Sequence, residues 1–448
     1  MKSDTVLDKA DDTVPDILDK EEECLVKVNN NLWERKILCV KKNQIVLMNT
    51  DTMCVEISIH PSCCLGVKIS TENLVTISAC PRVKGERKFL TADIEFGNQT
   101  VAQSLVDFMK THSYIPAKRK KVLVLINPAS GKGKATKIWD KVSAMTANTG
   151  TEFEVFLTHR AGHAKEILHD LDLDQYGGVV TVSGDGGLYD ITNGLFSRPD
   201  WKEVHDKFPI GLVPGGSGHA MHCSLLFHQQ EKFDQEYEVS ALNIGRGNLK
   251  TYDYIECSTK SSTFVSLFGV AWGVIPEVDV GSEFMRFLGP SRGRLLGLWR
   301  LIFPRFHEGT VYYKPYVEQD NGSLPKINEP VPDSWKSIEG PFLNVYACKQ
   351  PWLDYEMLFC PEAKPDDGII WLVIIMGTIN RKDSIYWLLN GETSGHLKSQ
   401  HTMICPITAF RFVPSEGVTA PMTVDAELLR GGMVQGIVRR SGVNIMVM

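Results

Sequence analysis

With 448 residues, 43% of them hydrophobic, the chain can bury a large core and should divide into two or three domains. A net charge of −6 and an isoelectric point near 6.1 argue against nucleic acid as the main partner. Eleven scattered cysteines, of which only Cys63 and Cys64 adjoin, read as reduced thiols rather than a disulfide frame or a zinc site, and the longest uncharged apolar run, 368–379, is too short to cross a bilayer.

Residues 1–22 are acidic and aperiodic, with no apolar signal core, so a disordered tail is expected and secretion is not. Between 25 and 97, short apolar or alternating segments (37–40, 45–48, 54–59 and 74–77) are punctuated by Asn43, Asn49, Asp51, Lys84-Gly85 and Gly97-Asn98. The stretch 101–110 reads as an amphipathic helix with Leu105 and Met109 on its apolar side. Short strands closed by one helix over 23–116 resemble a pleckstrin-homology-like module, a type that binds membranes or partner proteins; a packing domain without a ligand explains the pattern equally well.

A basic linker near 116–121 opens an α/β lobe over 117–247. Apolar strands at 121–126, 153–158, 178–182 and 208–213 alternate with helices carrying Ile138, Val142 and Met145, then Ala164, Ile167, Leu168 and Leu171. That order implies a parallel sheet with right-handed crossovers and a ligand beyond the carboxyl ends of its strands. Three of those ends run into glycine corners: Asn127-Pro128-Ala129-Ser130-Gly131-Lys132-Gly133-Lys134, Ser183-Gly184-Asp185-Gly186-Gly187, and Pro214-Gly215-Gly216-Ser217-Gly218, with a helix starting near His219. Backbone turning this sharply leaves N–H groups free to face a polyphosphate. No GxxxxGK[ST] sequence occurs, which disfavours a P-loop fold.

From 248 onward strands predominate: 252–256, 264–270, 342–347, 369–375, 409–413 and 434–438, interrupted by helices at 292–303 and 382–390. They predict a second, mainly antiparallel, β-sandwich-like lobe over 248–448, with the active site in the cleft between lobes. The stretch 319–339, rich in Pro, Asn, Ser and Glu, reads as an exposed loop.

Phosphoryl transfer needs cations and oriented donors around ATP's phosphates, a divalent metal, here Mg2+, and a carboxylate that takes the acceptor's proton. Lys132 and Lys134 suit the first task, although solvated surface lysines are the plainer reading. Asp185 suits the last; its plainer role is an Asx turn.

Further residues carry a resemblance. Ser183-Gly184-Asp185-Gly186, Asn193-Gly194-Leu195, Arg198-Pro199-Asp200-Trp201 and Pro214-Gly215-Gly216-Ser217-Gly218, with Asn127-Pro128 and Gly131-Lys132-Gly133-Lys134 upstream, resemble the sphingosine kinases, a branch of the diacylglycerol-kinase-type lipid kinase superfamily. The likeness spans about 120 to the C-terminus and omits the first hundred residues or so. It implies transfer of the ATP γ-phosphate to the primary hydroxyl of a sphingoid base, giving sphingosine 1-phosphate, with Asp185 as proton acceptor.

The resemblance also assigns the nucleotide to Asn127, Pro128, Ala129, Gly131, Lys132, Lys134, Thr158, His159, Arg160, Ala161, Gly162, Asp190, Gly216, Ser217, Gly218, Arg286, Arg292, Asp425, Ala426 and Glu427. It assigns the lipid to Ser183, Gly184, Asp185, Gly186, Asp279 and Glu283, with Asp279 meeting the head group. An anionic side chain there suits a cationic amine, whereas diacylglycerol offers no charge to pair. Forked guanidinium donors suit the phosphates, with ordinary surface charge as the alternative for the two arginines.

Four positions depart from the family pattern: Asp190 stands for Glu, His219 for Asn, Ala129 for a basic residue and Ala426 for Gly. The apolar helix at 292–303, with Leu295, Leu296, Leu298, Trp299 and Ile302, would wall a slot for the lipid tail; core packing is the other explanation. The expected protein is thus a cytosolic enzyme that visits membranes to collect its substrate. A diacylglycerol or ceramide kinase and a weakly active lipid-binding scaffold are the alternatives.

Overall fold

The computed structural model of the chain describes residues 21–29, 31–41, 43–112, 120–205, 207–216, 219–281, 291–318, 322–417, 421–429 and 432–448. The expected tail falls outside them up to residue 20, and Glu22 already opens the first strand. Strands β1 (Glu22–Val28), β2 (Glu34–Lys41), β3 (Gln44–Asn49), β4 (Val55–Ile59), β5 (Cys64–Thr71), β6 (Leu74–Ala79) and β7 (Leu90–Phe96) form one antiparallel sheet ordered β4-β3-β2-β1-β7-β6-β5. Helix α1 (Gln99–His112) lays Val101, Leu105, Phe108 and Met109 on Leu38, Ile45, Val75 and Ile94. Periodicity did not reveal β1, β5 and β7. The outer half of β5 is exposed on both sides, so it lacks the alternation that marks a half-buried strand.

This sheet is fastened to the α/β lobe. Leu65 and Cys80 share a core with Val122 and Val124, and the buried Glu231 carboxylate receives Arg87 at 2.6 Å and Arg82 at 2.8 Å.

Four strands of that lobe run in parallel, β8 (Lys121–Ile126), β9 (Phe153–Leu157), β10 (Tyr176–Ser183) and β11 (Ile210–Pro214), ordered β9-β8-β10-β11. The apolar runs of β8, β10 and β11 are buried on both faces, which is why they do not alternate with polar residues, whereas β9 at the sheet edge is half-exposed. Val122, Val124, Val180 and Val182 meet α2 (Ala135–Thr146) and α6 (Glu236–Arg246) through Trp139, Val142, Ala241 and Leu242. Leu123, Leu125, Val179 and Leu212 meet α3 (His163–Asp170), α4 (Asp185–Phe196) and α5 (Ala220–His228) through Leu168, Leu188, Ile191 and Leu225.

The second lobe continues the same sheet. It comprises β12 (Asn248–Ser258), β13 (Thr263–Ser266), β14 (Gly269–Gly273), α7 (Val274–Gly281), α8 (Ser291–Ile302), β15 (Gly309–Pro315), β16 (Lys336–Glu339), β17 (Phe342–Cys348), β18 (Ile370–Met376), α9 (Arg381–Leu389), β19 (Thr402–Pro414), β20 (Met422–Val424), β21 (Glu427–Leu429) and β22 (Val434–Val447). From β11 the sheet runs β22-β19-β18-β17-β14-β20-β21, all antiparallel after the β11–β22 step. The last strand, expected only over 434–438, continues to Val447, where Ile445 pairs with Ile210 and joins the lobes.

Two expectations need correction. The run 264–270 is two strands, because residues 266–269 turn around the buried Asp425 carboxylate. The expected loop at 319–339 ends in a strand, Lys336–Glu339, which pairs antiparallel with β15 and stays largely exposed. The helix expected at 292–303 is present, yet of its apolar residues Leu301 is buried while Leu295, Leu298 and Trp299 are more than a third exposed, so core packing does not account for them.

Candidate active site

Parallel neighbours β8, β10 and β11 end side by side, with Ile126 opposite Val182 and Ser183 opposite Pro214, so all three glycine corners emerge at one sheet edge. In the first, Asn127 Oδ1 accepts the Ala129 N–H at 3.1 Å, and Gly131, Lys132 and Gly133 all adopt positive φ (60°, 59° and 80°). That left-handed turn brings Gly131 against the third corner: a Cβ there would stand 2.5 Å from the Gly215 carbonyl oxygen. The second and third corners touch just as closely. Gly215 N–H donates to the Ser183 carbonyl at 2.9 Å, and a Cβ on Gly216 would meet the Gly184 backbone at 2.7 Å. Lys132 and Lys134 are exposed on the first corner.

Asp185 begins α4 from the second corner. Its carboxylate accepts the N–H groups of Ala220 at 2.9 Å and Met221 at 3.3 Å, at the start of α5. Burial pushes its pKa up to about 7; the two backbone donors oppose that rise, and the charges of Asp425 and Asp354 add to it. Two N–H bonds leave part of the carboxylate's acceptor capacity for a substrate hydroxyl. With Thr181, Ser183, Pro214, His219 and His222, Asp185 lines a small cavity of about 20 Å³. Burial lowers His219 to about 4 and His222 to about 3, so both rings are neutral near pH 7.

The expected nucleotide segment 158–162 follows β9 on the adjoining strand end. Thr158 N–H donates to the Ile126 carbonyl at 2.8 Å, and Gly162 N–H donates to Asp190 Oδ2 at 2.9 Å, tying this loop to α4 despite the shorter side chain at 190. Arg160 is turned to Glu166, 2.8 Å from Nη1 to Oε1, and His159 stacks on His163; Ala161 lies between them on the exposed turn.

The late acidic pair divides its labour. Asp425 is buried, and its carboxylate accepts Ser266 Oγ and the N–H groups of Leu267 at 2.9 Å, Phe268 at 3.0 Å and Gly269 at 3.2 Å. It therefore shapes the turn between β13 and β14; burial raises it to about 6 against those donors. Asp425 and Ala426 make the β20–β21 turn with φ of 47° and 66°, a left-handed pair that explains why glycine suits position 426. Glu427 follows, and its Oε1 stands 2.6 Å from where a Cβ on Gly186 would lie, beside Asp185.

Asp279 lies on α7, which leaves β14 directly. The buried Tyr346 hydroxyl is held well above its usual range by burial, with smaller contributions from Cys348, Asp425, Asp279 and Asp185. Ser217, Gly218, Glu283 and Arg286 lie outside the described residues, and Arg292 falls in the first turn of α8.

Three features escaped sequence reading: the N–H donors of Ala220 and Met221, the Ser266 anchor, and the ion pair of Arg300 with Glu277. The first two are backbone or small polar groups with no local signature. The third had one signal, the cation Arg300 inside the apolar run 295–302.

These corners, the carboxylate between them and the continuous two-lobe sheet define a lipid-kinase catalytic fold. The family model described as the diacylglycerol kinase catalytic domain matches residues 121–257. A solved diacylglycerol kinase from Bacillus anthracis str. Sterne shares the fold, with a TM-score of 0.50 and 14% identity over 74% of this chain and 98% of that one. Sphingosine kinase 1 of Arabidopsis thaliana is 31% identical over 70% of this chain and 69% of its own length, and sphingosine kinase 1 of Homo sapiens is 30% identical over 70% and 88%. The chain belongs to the sphingosine kinase family, within the diacylglycerol-kinase-type superfamily.

Proposed function

We infer that the chain transfers the γ-phosphate of ATP to the primary hydroxyl of sphingosine or a related sphingoid base. The observation that carries this reading is the mutual contact of the three corners with the Asp185 carboxylate at their junction. Backbone N–H groups of the corners, with Lys132 and Lys134 above, receive the triphosphate. As the lipid oxygen bonds to the γ-phosphorus, its proton passes to Asp185 and ADP leaves; the carboxylate then releases the proton to solvent. Asp279 pairs with the lipid ammonium, and Arg286 and Arg292 attend the phosphates.

Asp425 contributes by building the turn that sets Glu427 over Gly186. Among the described residues no cluster of three His, Cys, Asp or Glu could hold a metal by itself. That fits Mg2+, which is usually held by one or two carboxylates together with ATP's phosphates; Glu427 is the carboxylate placed for it. The ion would neutralise charge on the transferring phosphate.

The N-terminal sheet and helix form a pleckstrin-homology-like module, and the enzyme works from the cytosol, touching membranes to collect its lipid. No described helix is long and apolar enough to cross a membrane. The test is an assay of the purified chain with labelled ATP and, side by side, sphingosine, ceramide and diacylglycerol. Sphingosine should be the preferred acceptor; equal or faster turnover of either uncharged lipid would overturn the assignment.

A further inference from the structure

Glu277 is a carboxylate that the reaction does not use, yet it is one of the most enclosed acids in the second lobe. Its side chain is 7% exposed on α7, with Oε2 3.0 Å from Arg300 Nε on α8 and Oε1 3.5 Å from His307 Nε2, itself 7% exposed. His307 cannot drift, because its backbone exchanges two hydrogen bonds with Phe342, at 2.8 and 3.0 Å. Burial and the neighbouring Arg305 and Arg300 lower the His307 pKa, while burial raises that of Glu277 against the opposing charges of Arg300 and Arg305, of which Arg300 is the ion-pair partner.

We propose that Glu277, through its ion pair with Arg300, is the positioning residue that sets the rotation of α7 and thereby aims Asp279 at the ammonium group of the lipid. Asp279 lies two residues further on, so it projects about 200° around the helix from Glu277. Holding one side of α7 therefore fixes the direction of the other. The first turn is pinned as well, by the Ile275 N–H donating to Asn344 Oδ1 at 3.1 Å, which leaves the Glu277 clamp to set the turn that carries Asp279. Val274, Ile275 and Val278 pack α7 on the core of the second lobe, and the Glu277 ion pair adds a directional contact to that packing.

The inference rests on the reading of Asp279 as the partner of the amine, and the experiment separates the two. Steady-state kinetics of the full chain compare Asp279→Asn, Glu277→Gln, Arg300→Gln and Arg300→Lys with sphingosine and with ATP varied in turn. Asp279→Asn, Glu277→Gln and Arg300→Gln should each raise the sphingosine KM about tenfold, the scale of one weakened ionic contact. The ATP KM and kcat should stay within about twofold, and Arg300→Lys should restore most of the loss. A raised sphingosine KM in Asp279→Asn alone overturns the clamp and leaves the amine contact standing. An unchanged KM in Asp279→Asn removes the amine contact and the clamp with it. Equal damage to ATP and sphingosine kinetics in Glu277→Gln or Arg300→Gln marks a merely structural role and also overturns the proposal. Should Glu277→Gln not fold, the contrast between Arg300→Gln and Arg300→Lys decides, equal KM values ruling the clamp out.

Discussion

The Asp185 carboxylate accepts the Ala220 backbone N–H at 2.9 Å, so the candidate base of the second corner is aimed by the first turn of the helix that follows the third. Neither corner can move without disturbing the other. The Asp185 carboxylate, the backbone donors of the second corner and the third corner are therefore coupled in one unit, the kind of arrangement that makes positioning effective in phosphoryl transfer.

That geometry predicts a pH dependence. A carboxyl raised to about 7 loses its base form as the pH falls through 7, so kcat/KM for sphingosine should decline about tenfold per unit on the acid side of an inflection near 7. An inflection near 4 would mean that Asp185 is not the base. Stability should move the other way: Asp185 and Asp425 bind protons more tightly folded than unfolded, so their contribution is full below about pH 4 and is lost as pH rises through 6 and 7. Thermal unfolding of a variant with Asn at both positions should lack that decline.

Gly131→Ala tests the contact between corners. A methyl group there would meet the Gly215 carbonyl at 2.5 Å and would force a side chain into a φ of 60°. The corners must then separate, and the KM for ATP should rise at least about tenfold, since roughly ångström-scale misplacement costs up to a hundredfold. An unchanged ATP KM would show that the first corner does not face the nucleotide.

Ala426→Gly should stabilise the protein. Ala426 sits at φ 66°, where a Cβ costs about 1 kcal/mol, and glycine removes that strain. Chemical denaturation should show a gain of about that size; a loss would mean that the β20–β21 turn relaxes in solution.

Much of this site was legible in the sequence because parallel strands buried on both faces print as unbroken apolar runs, and the corners that follow them are marked by glycine. The 121–126 run falls on β8 residue for residue and 178–182 lies within β10, whereas β9 is a half-exposed edge strand whose run is broken by Glu154. What was hidden depended on distant pairing. Asp425 sits 159 residues from Ser266, so nothing local told that it holds the turn between β13 and β14. The span of β22 across both lobes was hidden too, because Arg439, Arg440 and Ser441 break its apolar run in the middle.

The most direct test of the central claim is the turnover of Asp185→Asn. The replacement keeps the shape and an oxygen acceptor for the Ala220 N–H but cannot take a proton. A loss of about a thousandfold in kcat, within the range expected of a general base, with ATP and sphingosine binding held within about threefold, is the predicted result. Turnover within about threefold of the parent would contradict it, since no proton acceptor at 185 would then be needed.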